Sequence, residues 1–263
     1  MLAELLFWPA LIAYAEAAIA FAADARQPGR AGRLAVWGVR IGWLLQTGLI
    51  AYQAVHADGF PWTSWAGSLH FFVWLLVAAY LVWGCKPRYR LLGLAVMPFA
   101  AALELAAWAG GGTGTHQPSG GSTVFLVLHV ASVLLAFAGF AMSAGLAGIY
   151  LWQARALKLR RATILKLGPP SLVTLEQLFT RTIVFGLPCL TLGIVTGLIR
   201  LHNDGKGIDA LMVVTLMTWV VYAVFLLLRF ERGWSGRRAA YLALAGFALV
   251  LVVRLALPVA HFS

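Results

Sequence analysis

Six histidines carry most of the chemistry this chain can offer: His56, His70, His116, His129, His202 and His261. A neutral imidazole ligates metals, including the iron of haem, and titrates near neutral pH. No His-x-x-x-His or His-Glu-x-x-His spacing is present, so zinc chemistry has no motif to rest on. The other polar groups of interest are four charges set within apolar sequence: Glu16, Arg40, Glu104 and Arg254. Cys85 and Cys189 are too few and too differently placed for a disulfide framework, and no Cys-x-x-Cys-His is available for covalent haem attachment. No nucleophile–base pair or carboxylate dyad stands out, and no enzymatic activity is expected.

Which of these groups can meet depends on the elements that carry them. Of 263 residues, 62% are hydrophobic and 11% charged, and mean hydropathy is +0.86. Soluble domains are nearer half apolar and a quarter charged, so this chain has too little polar surface to dissolve. Eight apolar stretches, at 5–23, 34–54, 68–84, 91–108, 123–151, 182–200, 210–229 and 239–258, are long enough to cross a bilayer as helices. The expected fold is all-α: a polytopic integral membrane protein of about eight transmembrane helices, forming one membrane domain over residues 1–263. The net charge of +11 is a consequence of short basic clusters between the apolar stretches and does not imply nucleic acid. Connectors 24–33, 85–90, 152–181 and 230–238 carry the clusters; 55–67 and 109–122 carry no Lys or Arg, and 201–209 only Lys206. The positive-inside rule places the basic connectors in the cytoplasm and both termini outside. The first stretch lacks a basic n-region and reads as a retained helix.

On this topology every histidine lies on or near the outer side. His56 and His116 fall in outer loops and suit solvated side chains. His70 sits just inside the outer end of helix 3, His129 about two turns into helix 5, His202 at the opening of an outer loop, and His261 beyond the outer end of helix 8. His129 lies within an apolar span, where ionisable residues are rare and usually functional. It can share an iron with His261 if helices 5 and 8 are neighbours. Glu16 with Arg40, and Glu104 with Arg254, stand at matched depths and can neutralise one another. Arg254 can alternatively hold a haem propionate or snorkel to the interface. Trp62 and Trp65 suit an interfacial belt. Segment 152–181 interleaves leucines with Lys and Arg as a membrane-hugging connector does, with a partner-docking surface as the alternative. The glycine-rich loop 109–122 lacks the Gly-Lys-Ser/Thr of a phosphate loop and reads as a flexible linker.

From residue 125 onward the chain resembles the cytochrome c assembly family of membrane proteins, which includes the CcsA-type, HemX-like and YpjD-like groups. The resemblance rests on His129-Val130, on Tyr150-Leu151-Trp152-Gln153, and on Pro169-Pro170-Ser171-Leu172 with Leu175-Glu176. It continues through Gly193-Ile194-Val195-Thr196-Gly197 and Thr218-Trp219-Val220-Val221-Tyr222. Its most specific part is Gly233-Trp234-Ser235-Gly236-Arg237-Arg238-Ala239-Ala240 with Gly246-Phe247, and His261 falls at the place of a C-terminal family histidine. Residues 123–263 form the family-like half, and 1–122 match it in hydropathy only. The CcsA-type Trp-rich segment is replaced by His202-Asn203-Asp204-Gly205-Lys206-Gly207-Ile208-Asp209, and the histidine that precedes the Gly-Trp motif by Leu227.

The resemblance implies a multi-pass protein of the bacterial inner membrane that binds, relays or helps deliver haem for cytochrome c assembly. The cofactor implied is non-covalent haem b, with His129 and His261 as axial ligands and His202, His70 and Arg254 as further haem-site residues. Partners would be the lipid bilayer, haem, and other assembly proteins or a cytoplasmic haem-biosynthesis enzyme. The alternatives left open are a haem-free, HemX-like regulator acting through segment 152–181 and, less favoured, a small-solute transporter.

Overall fold

A computed structural model describes residues 2–27, 29–57, 61–62, 64–83, 86, 89–114, 124–159, 170–204 and 210–256, without the side chains of 83, 203–204, 210–211 and 252–256. Among them are eight helices: α1 (Leu2–Arg26), α2 (Arg30–His56), α3 (Trp65–Trp83), α4 (Arg90–Ala109), α5 (Val124–Lys158), α6 (Leu172–Asp204), α7 (Ala210–Glu231) and α8 (Arg237–Ala256). The first seven contain apolar windows long enough to cross a membrane, and the chain is a multi-pass, all-α membrane protein. His261 and His116 lie outside the described residues, as does the side chain of Arg254.

Helices α5 and α6 reach beyond their expected spans, with 35 and 33 residues. At 1.5 Å per residue each is about 50 Å long, well over the roughly 30 Å hydrocarbon core. Much of segment 152–181 is therefore helix continuing from α5 or leading into α6. The physical reason is composition: α5 runs on through Ala, Leu, Arg and Lys, all good helix formers. Helix α6 starts where Ser171 caps it, its hydroxyl accepting the Thr174 N–H at 3.1 Å. Residues 160–169 of the expected connector lie outside the described residues.

The helices cluster into two compact units, divided at residues 122 and 123. In the first, α1 packs on α2 and α4, and α3 packs on α2 and α4, closing a four-helix ring. Small residues permit the α1–α2 approach: a Cβ on Gly38 would stand 3.1 Å from the Ala13 carbonyl oxygen, and one on Gly42 2.7 Å from the Tyr14 ring. Asp24 fastens the α1–α2 turn by accepting the N–H groups of Gly29 and Gly32 at 2.9 and 3.0 Å, and it pairs with Arg90 at 3.1 Å.

In this unit Trp62 is buried and stacks on Phe71, which stacks on Trp74, which stacks on Trp43, at centroid spacings of 5.0, 5.6 and 5.6 Å. Trp62 is thus packed inside rather than displayed at an interface. Residues 110–114 of the glycine-rich loop form a hydrogen-bonded turn instead of a free linker. Gln53 donates to the carbonyls of Gly112 and Gly114, and a Cβ on Gly112 would meet the Ala66 backbone at 2.5 Å.

In the second unit α5 packs on α6 and α8, and α7 packs on α6 and α8. The α5–α6 seam is antiparallel and lined by small residues: Ser143 donates to the Phe179 carbonyl at 3.1 Å, and Gly139 faces Gly186. Phe140 stacks on Tyr222 at 3.9 Å in the centre of this ring.

Candidate functional site

His129 stands on α5 five residues from Val124, half-buried against α6. Its Nδ1 lies 2.7 Å from the Gly193 carbonyl oxygen. A carbonyl only accepts, so Nδ1 carries the proton and the neutral ring leaves its lone pair on Nε2. Nε2 has no hydrogen-bond partner among the described residues. This is how a metal-ligating imidazole is held: one nitrogen fixes the ring through a backbone carbonyl, and the other stays available.

The seat for this ring is the Gly-Ile-Val-Thr-Gly stretch of α6. A Cβ on Gly197 would stand 2.8 Å from His129 Cε1, and one on Gly193 would stand 2.5 Å from Val133. Thr196 returns its hydroxyl to the carbonyls of Leu192 and Gly193, leaving no free donor to compete. Two motifs 64 residues apart in sequence therefore form one feature in space. His202 lies exposed near the end of the same helix, five residues or about 7.5 Å of axial rise past Gly197. For haem the fit is good at one axial position, because an anchored imidazole with a free Nε2 is the ligand iron needs. Whether His261 or Arg254 joins it lies outside the described residues.

His70 has a different setting. It belongs to the first unit and is fully buried, with Nδ1 2.6 Å from Glu104 Oε1. Gln46 donates to Glu104 Oε2 at 3.1 Å and to the His70 carbonyl at 3.1 Å, while the Tyr14 hydroxyl donates to Gln46 Oε1 at 2.7 Å. Each helix of the ring thus supplies one member of a polar chain: Tyr14, Gln46, His70 and Glu104, all completely buried. Sequence reasoning placed Glu104 opposite Arg254. The Arg254 side chain lies outside the described residues; among the described ones the Glu104 carboxylate is engaged by His70 and Gln46 of its own unit, because α4 packs directly beside α3. Glu16 and Arg40 do not form the expected pair. Both are exposed, and the Arg40 guanidinium lies 5.3 Å from the Trp37 ring centroid, a neighbour on its own helix. His56 is exposed, as expected, and stacks on Tyr52.

A third polar feature went unnoticed in the sequence. Glu176 on α6 forms an ion pair with Arg229 on α7 and accepts the Gly236 N–H at 3.1 Å. Arg229 also donates to the Trp234 carbonyl at 2.8 Å. Gly233 and Gly236 hold φ values of 61° and 70°, which glycine adopts without strain and which fold the turn back onto these groups. The Leu175-Glu176 and Gly-Trp-Ser-Gly motifs are thereby two halves of one clasp.

Among the described residues these features define a polytopic membrane protein with two four-helix units and an anchored imidazole seated on a glycine pair. The model of the family described as cytochrome C assembly protein matches residues 62–260, and the chain belongs to that family. The cytochrome c biogenesis protein CcsA of Synechococcus elongatus is 27% identical over 266 aligned residues, covering 82% of this chain and 81% of its own length. That of Gloeobacter violaceus is 25% identical over 268 residues, 80% of this chain and 78% of its own. That of Prochlorococcus marinus is 32% identical over 157 residues, 49% of each chain. The match begins before α3, so it takes in His70 and Glu104 as well as the motif-bearing half from residue 125 onward.

Proposed function

We propose that the protein binds haem and relays it or assists its delivery in cytochrome c assembly. His129 serves as an axial ligand near the extracytoplasmic face of the bacterial inner membrane. The observation that carries this is the anchored imidazole: Nδ1 tied to the Gly193 carbonyl and Nε2 left open above Gly197. Family membership and the biogenesis relatives support the setting. The orientation follows from the Lys- and Arg-bearing connectors, which put the Val124 end of α5 outside. His261 supplies the second ligand in this proposal, with His202 and Arg254 near the haem edge. Haem b is held without covalent attachment, since no Cys-x-x-Cys-His exists to receive its vinyl groups. When bound, haem is the cargo; the residues of this chain hold and orient it, and no covalent step is assigned to them.

The test is the absorption spectrum of the full chain purified in mild detergent from haem-replete cells. A Soret band that is lost in both His129→Ala and His261→Ala is the expected result. A colourless wild-type protein, or a band indifferent to His129→Ala, sinks the proposal.

A further inference from the structure

Between α6 and α7 of the second unit runs a groove of about 580 Å³ that the haem proposal does not use. Gln177, Thr180, Arg181, Arg229 and Phe230 line it at one end; Val184, Phe185, Pro188, Cys189 and Leu192 line the rest. Its two ends differ in chemistry. Arg229 is already paired with Glu176, whereas Arg181 is exposed and has no carboxylate partner among the described residues. Beside it, Thr180 is 8% exposed and its Oγ1 is buried with no hydrogen-bond partner. An unpaired guanidinium and a stranded hydroxyl at one mouth call for an anionic oxygen-rich group.

The dimensions say what that group is attached to. From Arg181 to Leu192 is 11 residues of helix, or about 16 Å, close to half of the roughly 30 Å hydrocarbon core. Arg181 sits where the apolar stretch of α6 begins, so the charged mouth falls at the headgroup level of one leaflet. The apolar remainder then runs to the bilayer midplane. This matches one acyl chain of one leaflet lipid. The groove holds no imidazole, so a porphyrin would lack the nitrogen ligand that His129 offers elsewhere.

We infer that this groove binds one anionic phospholipid, its phosphate on Arg181 and Thr180 and one acyl chain along Val184, Pro188 and Leu192. Assigning it to the cytoplasmic leaflet rests on the orientation proposed above; the binding itself does not. Anionic lipid is enriched at that face, where the basic ends of α5 and α7 also lie.

Native mass spectrometry of the delipidated full chain, titrated with equal amounts of phosphatidylglycerol and phosphatidylcholine, tests this. The wild type should retain a single phosphatidylglycerol with about fivefold preference, the size expected for one cation near a phosphate. Arg181→Gln should bring the ratio to one without altering phosphatidylcholine retention, and Val184→Trp, which fills the groove, should reduce both. His129→Ala should leave the preference unchanged, which separates this site from the haem proposal. Equal retention of the two lipids by the wild type overturns the inference, as does a preference that survives Arg181→Gln. So does a Soret band that persists in His129→Ala and vanishes in Arg181→Gln, which would assign the groove to a porphyrin.

Discussion

Gly197 lies directly against the His129 imidazole, so close that a Cβ there would stand 2.9 Å from Nδ1 and 2.8 Å from Cε1. The ring is therefore positioned by an absence of side chain on α6 as much as by its bond to Gly193. Gly197→Ala should push the imidazole off the Gly193 carbonyl. Loss of such a supporting hydrogen bond lowers affinity for the bound iron about tenfold or more. Haem per protein, read from the Soret band against total protein, should fall accordingly while helical content by circular dichroism stays unchanged. Undiminished haem in Gly197→Ala would mean that the ring is not the ligand.

The chain Tyr14–Gln46–His70–Glu104 should be a stability determinant of the first unit. Glu104→Leu leaves His70 and the Gln46 amide without their acceptor in a fully buried site, which costs about 1–3 kcal/mol for each stranded donor. Glu104→Gln keeps an acceptor in place and should recover much of that. Thermal unfolding of both variants in detergent distinguishes the two, and equal loss from Leu and Gln would argue against the hydrogen bonds.

Asp24 holds the first turn of α2 and the start of α4 together. Asp24→Ala strands the N–H groups of Gly29 and Gly32 and frees Arg90, for a loss of about 1–3 kcal/mol. Asp24→Asn retains one acceptor oxygen and should lie between. Amide hydrogen exchange at residues 29–34 should accelerate in the alanine variant first.

The clasp around Gly236 should show coupling. Glu176→Gln and Arg229→Gln should each destabilise, and the double variant should lose less than their sum, with a coupling of about 1–3 kcal/mol. Additive losses would show that the pair contributes nothing. Gly236→Ala should cost about 1–2 kcal/mol separately, because its φ of 70° disfavours any residue with a Cβ.

The amino-acid sequence by itself determined that the chain is all-helical and multi-pass, and roughly where its helices run, though α5 and α6 reach beyond their expected spans. It also singled out His129 as the unusual imidazole within a span. These follow from apolar length and from the rarity of ionisable groups in hydrocarbon, and both can be read one residue at a time. What only the tertiary structure decided is who meets whom. Hydropathy fixes a residue's depth along its own helix but not which neighbour its side chain turns toward. Depth matched Glu104 to Arg254, but it could not show that α3 and α2 bring His70 and Gln46 to its carboxylate. For the same reason Glu16 and Arg40, level in depth, stay apart on exposed faces. The seat of His129 on Gly193 and Gly197, and the closing of Glu176 onto the Gly233–Gly236 turn, likewise emerge only when α6 is laid against α5 and α7. In hydrocarbon each buried polar group must find its partner on another helix, and that choice belongs to packing.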